Sequence, residues 1–209
     1  MTVGTGPTPR GYAKGRAKRR EIVEQATALF GEVGYRSASL REIAARCGMS
    51  HPGLLHHFPS KEALLAAVLA HRDEVDAERF PLSGGTGVER LTHLVRLTEH
   101  NAHVPGIVEL FAVLSAEASA PDHPAHAYFV QRYARVRAAL AEGFDLVARD
   151  GLLRPGLDPD RVAVAVIALM DGLQVQWLLD RGSVDMADQL RAFLGQVLAE
   201  PVPGVTHAA

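Results

Sequence analysis

Cysteine is almost absent from this chain. Cys47 stands alone among 209 residues, so no intrachain disulfide can form and a reducing compartment, the cytoplasm, is the natural expectation. Long apolar runs are missing as well. The longest, residues 162–170, falls far short of the roughly 20 residues that span a bilayer, and the opening MTVGTGPTPRGYAKGRAKRR has no signal-like apolar core. No membrane partner is therefore expected. There is no GxSxG elbow, no glycine-rich phosphate loop, and no nucleophile, base and orienter at a recognisable spacing, which argues against an enzyme and against a cofactor. No segment alternates convincingly as a strand, and no internal repeat is present. What remains is an all-α reading.

Charge is present but unevenly placed. Residues 1–66 hold ten Lys or Arg against five acids, a net of +5, and the rest of the chain carries −7, so the overall −2 hides a basic end and an acidic body. Such asymmetry suggests a nucleic-acid surface, because Lys and Arg replace the counterions condensed on phosphate. Residues 39–64, SLREIAARCGMSHPGLLHHFPSKEAL, give that surface a shape. Ser39 followed by Glu42 is a capping-box pattern, and Leu40, Ile43, Ala44 and Cys47 then recur on one helical face. Gly48 can end that helix in a left-handed conformation. Ser50 can cap a second helix whose first turn tolerates Pro52 and whose apolar side is Leu54, Leu55 and Phe58. Ser60 can cap a third, with Glu62 in its first turn. Helix, short glycine turn, helix is the helix-turn-helix pattern.

The series LREIAARCGMS, then LLHHFPSKEALL, with the amphipathic REIVEQATALFGEVGY directly upstream, resembles the TetR-type bacterial transcriptional regulators. The resemblance covers residues 18–70, about a quarter of the chain. It implies an N-terminal three-helix DNA-binding domain, a C-terminal helical domain that binds a small molecule, and dimerisation through the last two long helices as a four-helix bundle. Two departures stand out: Leu55 replaces a frequent Tyr, and Gly53 a frequent Thr or Ser. The candidate double-stranded DNA contacts are Ser39, Arg41, Ser50, His51, Gly53, Leu55, His56, His57 and Lys61. By resemblance His57 and Lys61 look like backbone anchors, while His51, Gly53 and His56 lie where the family reads bases. The alternative for His56 and His57 is that one of the two rings merely packs between helices.

The expected organisation is a flexible basic arm over 1–17, a DNA-binding domain over 18–66, an effector-binding and dimerisation domain over 67–200, and a flexible tail over 201–209. Helical periodicity runs over 61–80, 88–103, 106–118, 122–153, 160–181 and 186–199, with a loop at 81–87. The stretch VAVAVIALMDGLQVQWLL is apolar almost all round, as in a central core helix or in one packed on both its own body and a two-fold mate. The expected homodimer contacts are Val166, Gly172, Leu173, Leu190, Phe193, Leu194 and Val197. A dimer would set two recognition helices on successive major grooves of a palindromic operator.

The resemblance implies an apolar effector pocket, with His103, Phe111, Leu114, Tyr128, Tyr133, Met170, Gln174 and Trp177 as candidates that plain core packing would also explain. The expected effector is a small lipophilic molecule with a few hydrogen-bonding groups. Ten histidines raise the question of metal, with His93, His100 and His103 on one stripe and His123 and His126 a turn apart. Without HExxH or paired cysteines the expectation is no metal site. The leading function is a homodimeric repressor released by its ligand. An activator or co-repressor-dependent regulator, and a helical metabolite-binding protein that no longer reads DNA, are the alternatives.

Overall fold

The computed structural model describes residues 9–207, with side chains from residue 13. Nine helices occupy the described residues: α1 (Pro9–Ser37), α2 (Leu40–Arg46), α3 (His51–His57), α4 (Lys61–Arg79), α5 (Gly87–Asn101), α6 (Pro105–Glu117), α7 (His126–Arg149), α8 (Pro159–Leu179) and α9 (Met186–Val197). Two compact units divide inside α4, between Arg72 and Asp73, six residues beyond the expected boundary. The expected arm lies outside the described residues over 1–8, and from Pro9 onward the chain is helical, as the helix-forming AKGRAKRR run permits.

In the first unit the short-range signals behave as the sequence suggests. Ser39 Oγ accepts from the Glu42 amide at 3.1 Å, Ser50 Oγ from Gly53 at 3.2 Å and Ser60 Oγ from Ala63 at 3.1 Å. Gly48 turns at φ 60°, a conformation that costs glycine little. The Glu42 carboxylate, however, approaches Arg46 at 3.4 Å; a basic partner one turn on in the helix competes for it. Ile22, Ala26, Leu29, Phe30, Ile43, Leu54, Phe58, Leu64 and Leu65 form the buried core.

The second unit is a helical bundle around Leu91, Leu94, Phe144, Val147, Ala163, Val166, Leu190 and Leu194. Thr86 and Glu89 make a complete reciprocal capping box at the start of α5. Where one helix is expected over 122–153, α7 starts only at His126, because Pro121 and Pro124 keep the preceding chain in turns. The flexible tail expected from residue 201 is corrected. Val202 and Val205 bury their side chains in the bundle core, and Thr206 Oγ1 accepts from the Val202 amide at 3.0 Å. An isolated antiparallel bridge, Leu153 to Leu198, ties the chain after α7 to the end of α9.

The same geometry corrects the expected dimer contacts. Val166, Leu173, Leu190, Leu194 and Val197 point into the protomer's own core, and Phe193 packs half-buried against it. Only Gly172 of that set faces outward with open space around it. A helix apolar on every side hides which side is which. Here Val162, Ala163, Val166, Leu173 and Trp177 turn inward. The outward stripe carries Val164, Ala165, Ala168, Gly172, Val175 and Leu179, with Val164 48% and Leu179 83% exposed. This two-sided apolarity also makes α8 the one described helix long and apolar enough to cross a membrane by composition, where no such segment was expected from its uninterrupted runs.

Candidate nucleic-acid interface and effector site

The recognition helix candidate, α3, is short and held from behind. Its inward residue is Leu54, followed by Phe58 at the C-cap, and both are fully buried. His56 and Pro52 are exposed, and His51, Gly53, Leu55 and His57 are half-exposed, so α3 presents its polar side outward. Two long-range bonds fix that orientation. The Arg19 guanidinium donates to the His57 carbonyl at 2.5 Å while lying 3.9 Å over the Phe58 ring, and Lys18 Nζ donates to the Cys47 carbonyl at 2.6 Å. Both take up carbonyls that a helix end leaves without intrahelical partners. Neither residue was singled out from the sequence, because nothing local marks a contact spanning 38 or 29 residues.

Among the expected contacts, Ser39 and Arg41 are exposed at the start of α2, and Ser50 is exposed at the cap of α3. Lys61 is more engaged than expected. Its ammonium donates to the Arg36 carbonyl at 3.0 Å and lies 4.5 Å over the Tyr35 ring, and burial lowers its pKa. Arg46 is neutralised by a two-pronged pair with Glu32, at 2.8 and 2.6 Å. At Gly53 a Cβ would stand 3.2 Å from Ser50 Oγ and 3.4 Å from Met49 Cε, so a side chain there crowds the cap. The His57 imidazole is held below its ordinary pKa, first by burial and then by the charges of His56, Arg19 and Lys18.

The effector candidates separate into two groups. Phe111, Tyr128 and Tyr133 come together around Phe129, whose ring lies 5.9, 5.1 and 6.4 Å from theirs. Arg132 lies over Phe111 and pairs with Asp73, which also takes Arg135 at 2.9 Å. The Tyr133 hydroxyl donates to Asp171 Oδ2 at 2.8 Å, and burial pushes its pKa up to about 12. Burial likewise raises Tyr128. The cluster thus offers aromatic faces with a few charged and hydroxyl groups at its margin. Phe129, Arg132, Asp73 and Asp171 escaped the sequence reading; the i, i+3 and i, i+4 spacing of Phe129, Arg132 and Tyr133 is the signal that could have found the first two.

The remaining candidates differ in burial and packing. Leu114 is fully buried, and Trp177 packs with Val108, Leu173 and Met186 in a separate cluster, beneath the Arg181 guanidinium. Met170 packs against the main bundle core, and Gln174 is half-buried on α8. His103 is exposed, its Nδ1 2.9 Å from the Glu99 carbonyl. Core packing thus holds Leu114, Met170 and Trp177, and His103 lies just beyond the end of α5. Among the described residues no three His, Cys, Asp or Glu side chains converge as metal ligands. His93 turns to the Pro81 carbonyl and His126 to the Ala118 carbonyl.

Comparison with known proteins matches two family models: bacterial regulatory proteins of the tetR family over residues 22–68, and the C-terminal domain of BetI-type transcriptional repressors over residues 88–201. The HTH-type transcriptional repressor KstR2 of Mycobacterium tuberculosis is 28% identical over 155 residues, covering 70% of this chain and 74% of KstR2. A transcriptional regulator from Saccharomonospora viridis, solved in complex with choline, aligns with a TM-score of 0.76 at 25% identity, covering 89% of this chain and 100% of that one. AibR, solved with isovaleryl coenzyme A and operator DNA, aligns at 0.66 with 26% identity, covering 86% and 97%.

Proposed function

Because the chain belongs to the TetR family and is a DNA-binding transcriptional regulator, we propose that it works as a homodimeric repressor of a palindromic operator and is released by a small ligand held at the aromatic cluster. The observation that carries the DNA half is α3, anchored through Leu54 and Phe58 with its polar side outward and Arg41 exposed beside it on α2. His51, Gly53, Leu55 and His56 face the bases in this reading, while Ser39, Ser50, His57 and Lys61 meet the phosphates; Arg41 takes a guanine edge or a phosphate. The cytoplasm, where bacterial DNA lies, is its place of work.

The dimer reading rests on the outward stripe of α8. Small and apolar side chains at Val164, Ala165, Ala168, Gly172 and Val175 suit close approach of a second copy of the same helix, and an isologous pair is the commonest closed arrangement. The ligand reading rests on Phe111, Tyr128, Phe129 and Tyr133, which favour an apolar body bearing a few polar groups. Choline and isovaleryl coenzyme A, bound by two neighbours, differ too much to name it. A ligand releases DNA only through unequal affinity for the bound and released spacings of the two readers.

Arg41→Ala and the double change Arg41→Ala with Lys61→Ala test the DNA half by gel shift on the chain's own upstream region. Arg41→Ala should weaken binding about tenfold, the value of one lost charged contact of roughly 1–3 kcal/mol, and the double change should abolish it with the dimer intact. Undiminished binding at moderate salt by the double variant refutes the assignment.

A further inference from the structure

Asp171 is the only ionisable residue between Val162 and Leu179, and it lies on the outward side of α8 between Ala168 and Gly172. A carboxylate carried into an apolar helix seam is costly unless donors hold it. Here one donor is already in position. The Tyr133 hydroxyl reaches Asp171 Oδ2 at 2.8 Å from α7, and Ser115 of α6 hydrogen-bonds the same phenol. The surrounding helices strip enough water from Asp171 to raise its pKa, with the Tyr133 bond and the Arg132 charge opposing.

Tyr133 also belongs to the aromatic cluster, its ring 6.4 Å from Phe129 and inclined at 36°. The ring therefore sits among the effector candidates while the hydroxyl ends on the α8 stripe. We propose that the Tyr133–Asp171 hydrogen bond is a latch through which the aromatic cluster sets the strength of the dimer. While the hydroxyl holds the carboxylate, α8 docks on its mate. Turning Tyr133 away leaves a charge without its donor at the seam, and the dimer loosens. A ligand that shifts this ring acts on assembly directly, and by reciprocity assembly acts on the ligand. Tyr133 is thus a positioning residue. The inference rests on the reading of α8 as the dimer face.

The test is a double-mutant cycle on the full chain, with dimer dissociation followed by sedimentation at pH 8. Tyr133→Phe keeps the ring and removes the hydroxyl; it should weaken the dimer about tenfold, the effect of one lost hydrogen bond to a charged group. Asp171→Asn should leave the dimer as tight or tighter, and in that background Tyr133→Phe should cost little. Tyr133→Phe with a dissociation constant within twofold of wild type overturns the latch. So does an equal loss in both backgrounds, which would assign the effect to the hydroxyl's bond with Ser115 rather than to Asp171. A wild-type chain that sediments as a monomer refutes the dimer reading itself, a result distinct from a tight dimer indifferent to Tyr133.

Discussion

Replacing Gly172 with alanine has opposite consequences for a free and a docked α8. In the protomer a Cβ at this position meets nothing within 4 Å. If the outward stripe faces only water, the substitution removes backbone freedom from the unfolded chain and stabilises the helix by roughly 0.5–1 kcal/mol. If the stripe seats a second α8, the two-fold axis brings in two extra methyl groups where helix backbones approach closely. Overpacking of that kind costs about 1–3 kcal/mol, which at about 1.4 kcal/mol per decade is a dissociation constant weakened by roughly five- to a hundredfold. Sedimentation velocity across a dilution series reads the dimer, and thermal melting at low concentration reads the protomer. The expected outcome is a looser dimer built from a protomer at least as stable as before. A variant that dimerises as tightly as wild type refutes close approach at Gly172.

Gly87→Ala should act through the core. Its Cβ would stand 2.6 Å from Val147 Cγ2 and 2.8 Å from both the Gly143 carbonyl oxygen and the Val147 amide nitrogen, so α5 and α7 must part. A loss of about 2–3 kcal/mol and a fall of several degrees in melting temperature are expected by calorimetry, and an unchanged melt contradicts the close packing. Operator binding should strengthen as pH falls. The His57 imidazole, held below its ordinary pKa, is neutral at pH 7 in the free protein, and an adjacent phosphate favours the cation, so binding takes up a proton. One such proton gives at most about tenfold per pH unit; His57→Gln should flatten the slope measured by fluorescence anisotropy, and an unaltered slope removes His57 from the phosphate.

Much of the reader was legible because its signals are local. Ser50 and Ser60 cap helices three residues downstream, and Gly48 needs a positive φ. The sides of α8 were not legible, since a helix reading VAVAVIAL offers no polar face to orient it; only packing distinguishes Val166 from Val164. The aromatic cluster was half legible. Phe111, Tyr128 and Tyr133 stand out by type, but Asp73 and Asp171 join them across 59 and 38 residues of chain, a distance over which sequence spacing carries no geometry. Residues 201–209 read as a tail, with Pro201, Pro203 and Gly204 suggesting a loose end, yet Val202 and Val205 suffice to bind the segment to the core.

The central claim is that α3 reads a palindrome as one of a pair. Footprinting the chain on its own upstream DNA tests this most directly. The expected result is a protected inverted repeat whose half-sites are centred about one helical turn, roughly 34–36 Å, or a little more apart, and whose protection weakens steeply with salt. Absence of protection on any genomic fragment, or protection of a single unrepeated half-site by a monomer, contradicts it.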